Sequence, residues 1–248
     1  MEQVLLVTGA SRGIGAATAL LAASKGYSVA VNYTANAAAA EAVVSEIRSG
    51  GAKAVAIQAD VAQEEQVLAM FAQVDKDLGR LTALVNNAGV VDQTARVDAM
   101  SVARLKRMFD INVIGSMVCA REAIGRMSTR HGGSGGAIVN VSSAASRLGA
   151  PGQYVDYAAA KGAIDAFTIG LAKELAAEGI RVNAVRPGLI ETDIHASGGI
   201  PDRVQQLAPQ VPMQRGGTAL EVAQAIVWLL SPEASYTTMS LVDVSGGR

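Results

Sequence analysis

Tyr157 and Lys161 stand four residues apart in the run VDYAAAKGAIDAF. In a helix, residues at that spacing share a face, so a phenol and an ammonium can meet in one site. A free phenol ionises at about 10 and is a poor general acid or base at neutral pH. A cation held nearby favours phenolate and brings the group toward the range where proton transfer works best. Ser143 follows the apolar run Ala137–Val141 and could hydrogen-bond a substrate oxygen, with Ser146 as a further lining candidate. Tyr154 has Ala158 at its i+4 position, which cannot play the part of the lysine. Ser142 and Ser143 would face opposite ways on an extended chain.

A second constellation lies near the start, in Thr8-Gly9-Ala10-Ser11-Arg12-Gly13-Ile14-Gly15. Glycines at a strand-to-helix turn let phosphate oxygens approach the amides of a helix N-terminus. The same stretch also reads G-x-S-x-G, the nucleophile elbow of hydrolases, with Ser11 as nucleophile. That reading needs an acid and then a histidine, and the chain has only His131 and His195. It would also place the elbow on the first strand, with no earlier strand and loop to supply an oxyanion hole. After the second strand come Asn32, Tyr33 and Thr34, with no carboxylate to repel a 2′-phosphate, and Arg12 can reach that region. NADP(H) is therefore favoured over NAD(H). Asp60-Val61 and Asn86-Asn87-Ala88-Gly89 follow strands in the same layer. Asp60 would contact adenine or cap the next helix. Asn112 falls inside a helical run, where asparagine either faces solvent or has a specific partner.

These groups need a frame. Short apolar runs at Gln3–Thr8, Ser28–Tyr33, Lys53–Gln58, Thr82–Asn86, Ala137–Val141, Arg181–Arg186 and Leu241–Val244 alternate with helical runs. The helical runs are Gly13–Lys25, Ala35–Ser49, Gln63–Asp77, a long Ser101–Thr129, Val155–Ala177 and Ala219–Leu230. Continuous apolar strands alternating with helices predict an α/β fold, a doubly wound, mostly seven-stranded parallel sheet with helices on both faces. No linker divides the chain, so residues 1–248 read as one domain. Glu191–Pro212 reads as irregular and as a substrate lid, with Ile194, His195 and Met213 as lining candidates.

The composition narrows the function classes. A formal charge of −1 and the absence of a basic block point away from nucleic acid and acidic membrane surfaces. No apolar run reaches the roughly 18 residues of a spanning helix. The single cysteine, Cys119, reads as a buried apolar residue, excludes an internal disulfide and suits a reducing compartment, so a soluble cytoplasmic protein is expected. Nothing in the sequence suggests a metal site.

Taken together, TGASRGIG at Thr8–Gly15, NNAG at Asn86–Gly89, Asn112, Ser143, Tyr157-x-x-x-Lys161 and Pro187-Gly188 followed by Thr192 resemble the short-chain dehydrogenase/reductase family of classical type, in its order and over nearly the whole length. The resemblance implies a Rossmann-type fold and hydride transfer between nicotinamide and a carbonyl or secondary alcohol. In it Tyr157 is general acid/base, Lys161 lowers its pKa and holds the nicotinamide ribose, and Ser143 orients the substrate oxygen. Asn112 would distort its helix and support a water linking Lys161 to solvent. The implied cofactor contacts are Gly9, Ser11, Arg12, Gly13, Ile14, Gly15, Asn32, Tyr33, Thr34, Asp60, Val61, Asn87, Ala88, Gly89, Tyr157, Lys161, Pro187, Gly188, Ile190 and Thr192, the last at the carboxamide. A homotetramer is also implied, for which Ala158, Gly162 and Ala166 would allow close helix approach; packing on their own sheet fits those small residues as well. Arg186 and Met239 depart from the family pattern. A cofactor-binding regulator with little turnover is the alternative from another class.

Overall fold

The strand β1 (Gln3–Val7) shows why the sheet is covered on both sides. Leu5 and Val7 join one apolar cluster while Val4 and Leu6 join the other, all four essentially inaccessible. The computed structural model describes residues 3–194, 198–200 and 202–248. The remaining strands are β2 (Tyr27–Tyr33), β3 (Ala54–Gln58), β4 (Ala83–Asn86), β5 (Gly136–Val141), β6 (Ile180–Pro187) and β7 (Leu241–Val244). All pair in parallel in the order β3-β2-β1-β4-β5-β6-β7. Val7 is level with Val31 on one side and Val85 on the other, so the carboxyl ends of the central strands form one edge. The strand order reverses between β1 and β4, where such sheets open a crevice.

Helices α1 (Gly13–Ser24) and α2 (Ala37–Ser49) pack on the Leu5/Val7 face, and α3 (Glu64–Asp77) on the other. In α3, Val67, Met70, Phe71 and Val74 form the buried stripe expected from their spacing. The expected long helix Ser101–Thr129 is instead α4 (Val102–Phe109), a π turn (Asp110–Ile114) and α5 (Gly115–Met127). The cause is Asn112, whose Nδ2 donates to the Met108 carbonyl at 3.0 Å, the acceptor that its own helical N–H would otherwise take. Cys119 lies fully buried in α5. A short α6 (Ala145–Leu148), without a sequence signal of its own, precedes α7 (Val155–Leu175). The 191–212 segment is not wholly irregular: it holds α8 (Arg203–Leu207) and a 3-10 turn, Ala208–Gln210. His195 lies outside the described residues. A capping box between Thr218 and Glu221 starts α9 (Ala219–Leu230), which completes the Leu5/Val7 face. Met239 sits at φ 65°, the left-handed conformation that explains why glycine suits this position, and its N–H ties to the Val182 carbonyl. Among the described residues no helix is long and apolar enough to cross a membrane, and no group of metal-ligating side chains is found.

Candidate active site

At the carboxyl edge of the sheet a cleft of about 490 Å³ opens between the glycine turn, the loop after β5, the first turn of α7 and the 187–194 segment. Its walls include Ile14, Asn87, Gly89, Ser143, Tyr157, Lys161, Pro187, Gly188, Ile190 and Thr192. The elements carrying the sequence-predicted residues therefore converge on one edge.

The glycine turn is held from three sides. Thr8 Oγ1 accepts from the Asn87 and Ala88 amides, and Asn87 Nδ2 donates to the Thr8 and Gly9 carbonyls at 2.8 and 2.9 Å. Gly9 has φ 62°, and a side chain at Gly15 would bring Cβ within 2.5 Å of Asn87 Nδ2. Both positions thus require glycine for the turn's own packing. The turn delivers the start of α1, which no side chain caps and whose first turn holds no acidic residue. An uncapped helix start behind glycines fits a phosphate acceptor.

Three expected cofactor contacts read differently in the structure. Asn32 is buried, with Oδ1 accepting from the Gly9 amide at 3.0 Å and Nδ2 donating to the Ala59 and Ile57 carbonyls. It braces the turn from below, so its side chain is unavailable to a 2′-phosphate. Val61 is buried, its side chain and carbonyl both packed against Gly115. Asp60 Oδ1 accepts from the Ala62 amide, closing a local turn, while Gln63 is the helix N-cap. Tyr33 is partly buried against the core and Thr34 is exposed. Arg12 is exposed, with Nη1 3.8 Å from Asp193 Oδ2 across the cleft mouth.

Tyr157 is placed by the first turn of α7. Asp156 Oδ1 accepts from the Tyr157 amide at 2.9 Å, and the same carboxylate takes a two-pronged contact from Arg104 at 2.7 and 3.2 Å. This clamps α4 to the start of α7. The Asp156 side chain is fully inaccessible, so the pair is a strong positional constraint. Ser143 Oγ accepts from the Ala145 amide and hydrogen-bonds the Tyr157 phenol. Ser142 instead donates to the Lys161 carbonyl, and Ser146 to the Ser143 carbonyl.

Lys161 is buried, donates from Nζ to the Val141 carbonyl at 2.8 Å, and lies 5.6 Å from the centroid of the Tyr157 ring. Burial lowers its pKa to about 8, with Asp165 opposing. Burial pushes Tyr157 up to about 12, and the Ser143 hydrogen bond offsets only part of this. The ammonium stands over the ring face and donates to the Val141 carbonyl. Asp165, four residues after Lys161, pairs with Arg186 at 2.9 Å, which accounts for an arginine before Pro187-Gly188.

Asn112 has a specific partner. Its Oδ1 accepts from the Val90 amide and its Nδ2 donates to the Val90 carbonyl, at 3.2 and 3.1 Å. It fixes the chain after Gly89, where a Cβ would fall 2.7 Å from Asn112 Oδ1 and 3.5 Å from Lys161 Nζ. Ile194 lines the cleft, whereas Met213 lines a neighbouring cavity. Tyr154 is at the N-cap of α7, covered by Arg203. Arg203, Gln153 and Arg248 also line the cleft and carry no sequence signal beyond their charge or polarity. For the hydrolase reading, Ser11 follows the carboxyl end of β1 while His131 precedes the amino end of β5, on opposite edges of the sheet.

A family model described as enoyl-(acyl carrier protein) reductase matches residues 9–248. The chain is 58% identical over 245 residues to the uncharacterized oxidoreductase YgfF of Escherichia coli (strain K12), covering 99% of each. It is 39% identical over 248 residues to the 3-oxoacyl-[acyl-carrier-protein] reductase FabG of Staphylococcus aureus (strain Mu50 / ATCC 700699), covering 100% of this chain and 98% of that one. Among solved structures it superposes on the acetoin dehydrogenase YohF from Salmonella typhimurium with a TM-score of 0.89 at 33% identity, covering 100% and 97% of the two chains.

Proposed function

The chain belongs to the short-chain dehydrogenase/reductase family, as an oxidoreductase, and from that premise we propose that it moves hydride between NADP(H) and a carbonyl or secondary-alcohol substrate while Tyr157 moves the proton. The observation that carries this reading is the convergence of Ser143, Tyr157 and Lys161 on the cleft that also receives the glycine turn. The names of the relatives, a 3-oxoacyl reductase and an acetoin dehydrogenase, fit a carbonyl–alcohol pair.

The bound nicotinamide supplies or accepts the hydride. The chain's own groups handle the oxygen. In reduction, the Tyr157 phenol gives its proton to the oxygen as the carbonyl becomes an alcohol. Ser143 donates a hydrogen bond to the same oxygen and orients it. Lys161, as ammonium, stabilises the phenolate that results. In oxidation the proton returns to Tyr157. A phenol that holds its proton throughout the neutral range is ready to act as an acid in the reduction.

The uncapped start of α1, with Arg12 at its mouth and no carboxylate after β2, suits a 2′-phosphorylated dinucleotide. The adenosine end would meet Arg12, Tyr33 and Thr34. The nicotinamide end would meet Gly89, Tyr157, Lys161, Pro187, Gly188, Ile190 and Thr192. We also assign a cytoplasmic homotetramer. Exposed Ile114, Met117 and Ile169 on α5, its preceding turn and α7, with open space outside Gly162, support subunit packing there.

Turnover and cofactor binding are tested together. NADPH oxidation is followed over ketones, sugars and acyl thioesters, and NADPH and NADH are titrated into wild type and Arg12→Ala. Turnover of at least one carbonyl, with NADPH bound more tightly than NADH and that margin reduced in Arg12→Ala, is expected. Tight NADPH binding with no turnover would point to a regulator. Equal binding of the two dinucleotides by wild type would overturn the cofactor assignment.

A further inference from the structure

The outer half of the cleft carries an imbalance of charge that proton and hydride transfer do not require. Arg203 and Arg248 line it together with Lys161, and no aspartate or glutamate lines it among the described residues. Lys161 is buried and committed to the Val141 carbonyl, so it does not set the outer field. Arg203 comes from α8 in the 191–212 segment. Its Cζ stacks 5.3 Å from the centroid of the Tyr154 ring, and its Nη2 donates to Gln153 Oε1 at 2.6 Å.

These two contacts hold the guanidinium without neutralising it. Stacking uses one face of the plane, and Gln153 takes one of five N–H donors. The remaining edge is a fork suited to two oxygens of one anion. A lid arginine that only solvates the surface would have no such supports, and its side chain would not be half-buried in the reaction cleft. Tyr154 and Tyr157 are one turn apart on α7, a rise of roughly 5 Å. An anion on Arg203 would therefore lie several bonds from a carbonyl at Tyr157.

Resting on the carbonyl–alcohol reading above, we propose that the cleft selects carbonyl substrates bearing a carboxylate or phosphate, held by Arg203. The reaction is unchanged; the anion anchors the molecule so that its carbonyl falls at Ser143 and Tyr157.

The test compares matched pairs on the full-length protein with NADPH. One pair is 5-oxohexanoate and its methyl ester; the other is dihydroxyacetone phosphate and dihydroxyacetone. In at least one pair kcat/KM for the anion should exceed that for the neutral partner by about tenfold or more, the worth of one charge-assisted contact. The pair that shows it distinguishes carboxylate from phosphate. Arg203→Gln should collapse that ratio toward one, chiefly through KM, and Arg203→Lys should restore part of it. Equal use of both members of each pair by wild type, or a ratio that survives Arg203→Gln, would overturn the proposal. If no carbonyl turns over, the underlying reading fails, and anion capture is decided separately by calorimetric titration of glutarate and of inorganic phosphate. Binding lost in Arg203→Gln upholds capture; no binding, or binding indifferent to the substitution, refutes it.

Discussion

Replacing Lys161 by methionine should stabilise the fold at neutral pH while removing the cation beside Tyr157. The lysine is 4% exposed, and its pKa falls from an ordinary 10.5 to about 8 because burial penalises the charged form. A shift of that size corresponds to about 3 kcal/mol of cost for carrying the charge in the folded state. The bond from Nζ to the Val141 carbonyl returns part of this, about 1–3 kcal/mol. Lys161→Met should therefore gain up to about 2 kcal/mol at pH 7. The pH dependence is the sharper signature. Between pH 8 and 10.5 the unfolded lysine binds a proton that the folded one does not, so wild-type stability rises with pH through this window. The advantage of the variant should shrink by about 1.4 kcal/mol per pH unit and reverse by about the middle of the window. Tyr157, whose pKa is raised, acts in the opposite sense above pH 10, but in both proteins alike. Urea unfolding of both proteins from pH 7 to 10.5 measures the gap. A gap independent of pH, or a wild type more stable than the variant at pH 7, would refute the reasoning.

The same lysine should govern the rate profile. Log kcat/KM for carbonyl reduction should be flat below the pKa of about 8 and fall above it as the ammonium is lost. Since Asp165 opposes the depression, Asp165→Asn should move that break to lower pH, read from initial rates across pH 6–10. Asn32→Ala removes the brace under Gly9 and leaves buried amide and carbonyl groups without a partner. It should cost about 2–3 kcal/mol in urea unfolding and weaken dinucleotide binding in a fluorescence titration. Asp156→Ala takes the carboxylate from the largely covered Arg104 guanidinium and frees the first turn of α7. A loss of about 3–5 kcal/mol in stability, with a fall in kcat in whatever folds, is the expected outcome.

The fold was legible because a strand buried on both faces must be apolar throughout. Val4 to Val7 meets that condition, as do Val29–Val31 within β2 and Ala137–Val139 within β5. The Tyr157–Lys161 pairing was legible because helical spacing alone puts the two on one face. Three features were not. The direction of the Tyr157 shift follows from the burial of the phenol, which is not a property of spacing. The role of Asn32 follows from the register of β1 against β2, which aims its amide at Gly9 instead of a ligand. Arg203 lies in a segment where glycine, proline and polar residues mask the short helix that carries it, and only the structure brings it onto Tyr154. Asn112 lay between these cases: the sequence marked it as an exception inside a helix, and the structure supplied the partner and the π turn.

The central claim is that Tyr157 moves the proton that accompanies hydride transfer. The direct measurement is single-turnover oxidation of NADPH by wild type and Tyr157→Phe with whichever carbonyl wild type reduces, alongside each protein's affinity for NADPH. The account predicts a loss of about 10²–10⁴ in the chemical step with NADPH affinity changed little, the usual weight of a general acid. A Tyr157→Phe protein that reduces the carbonyl at the wild-type rate would contradict it.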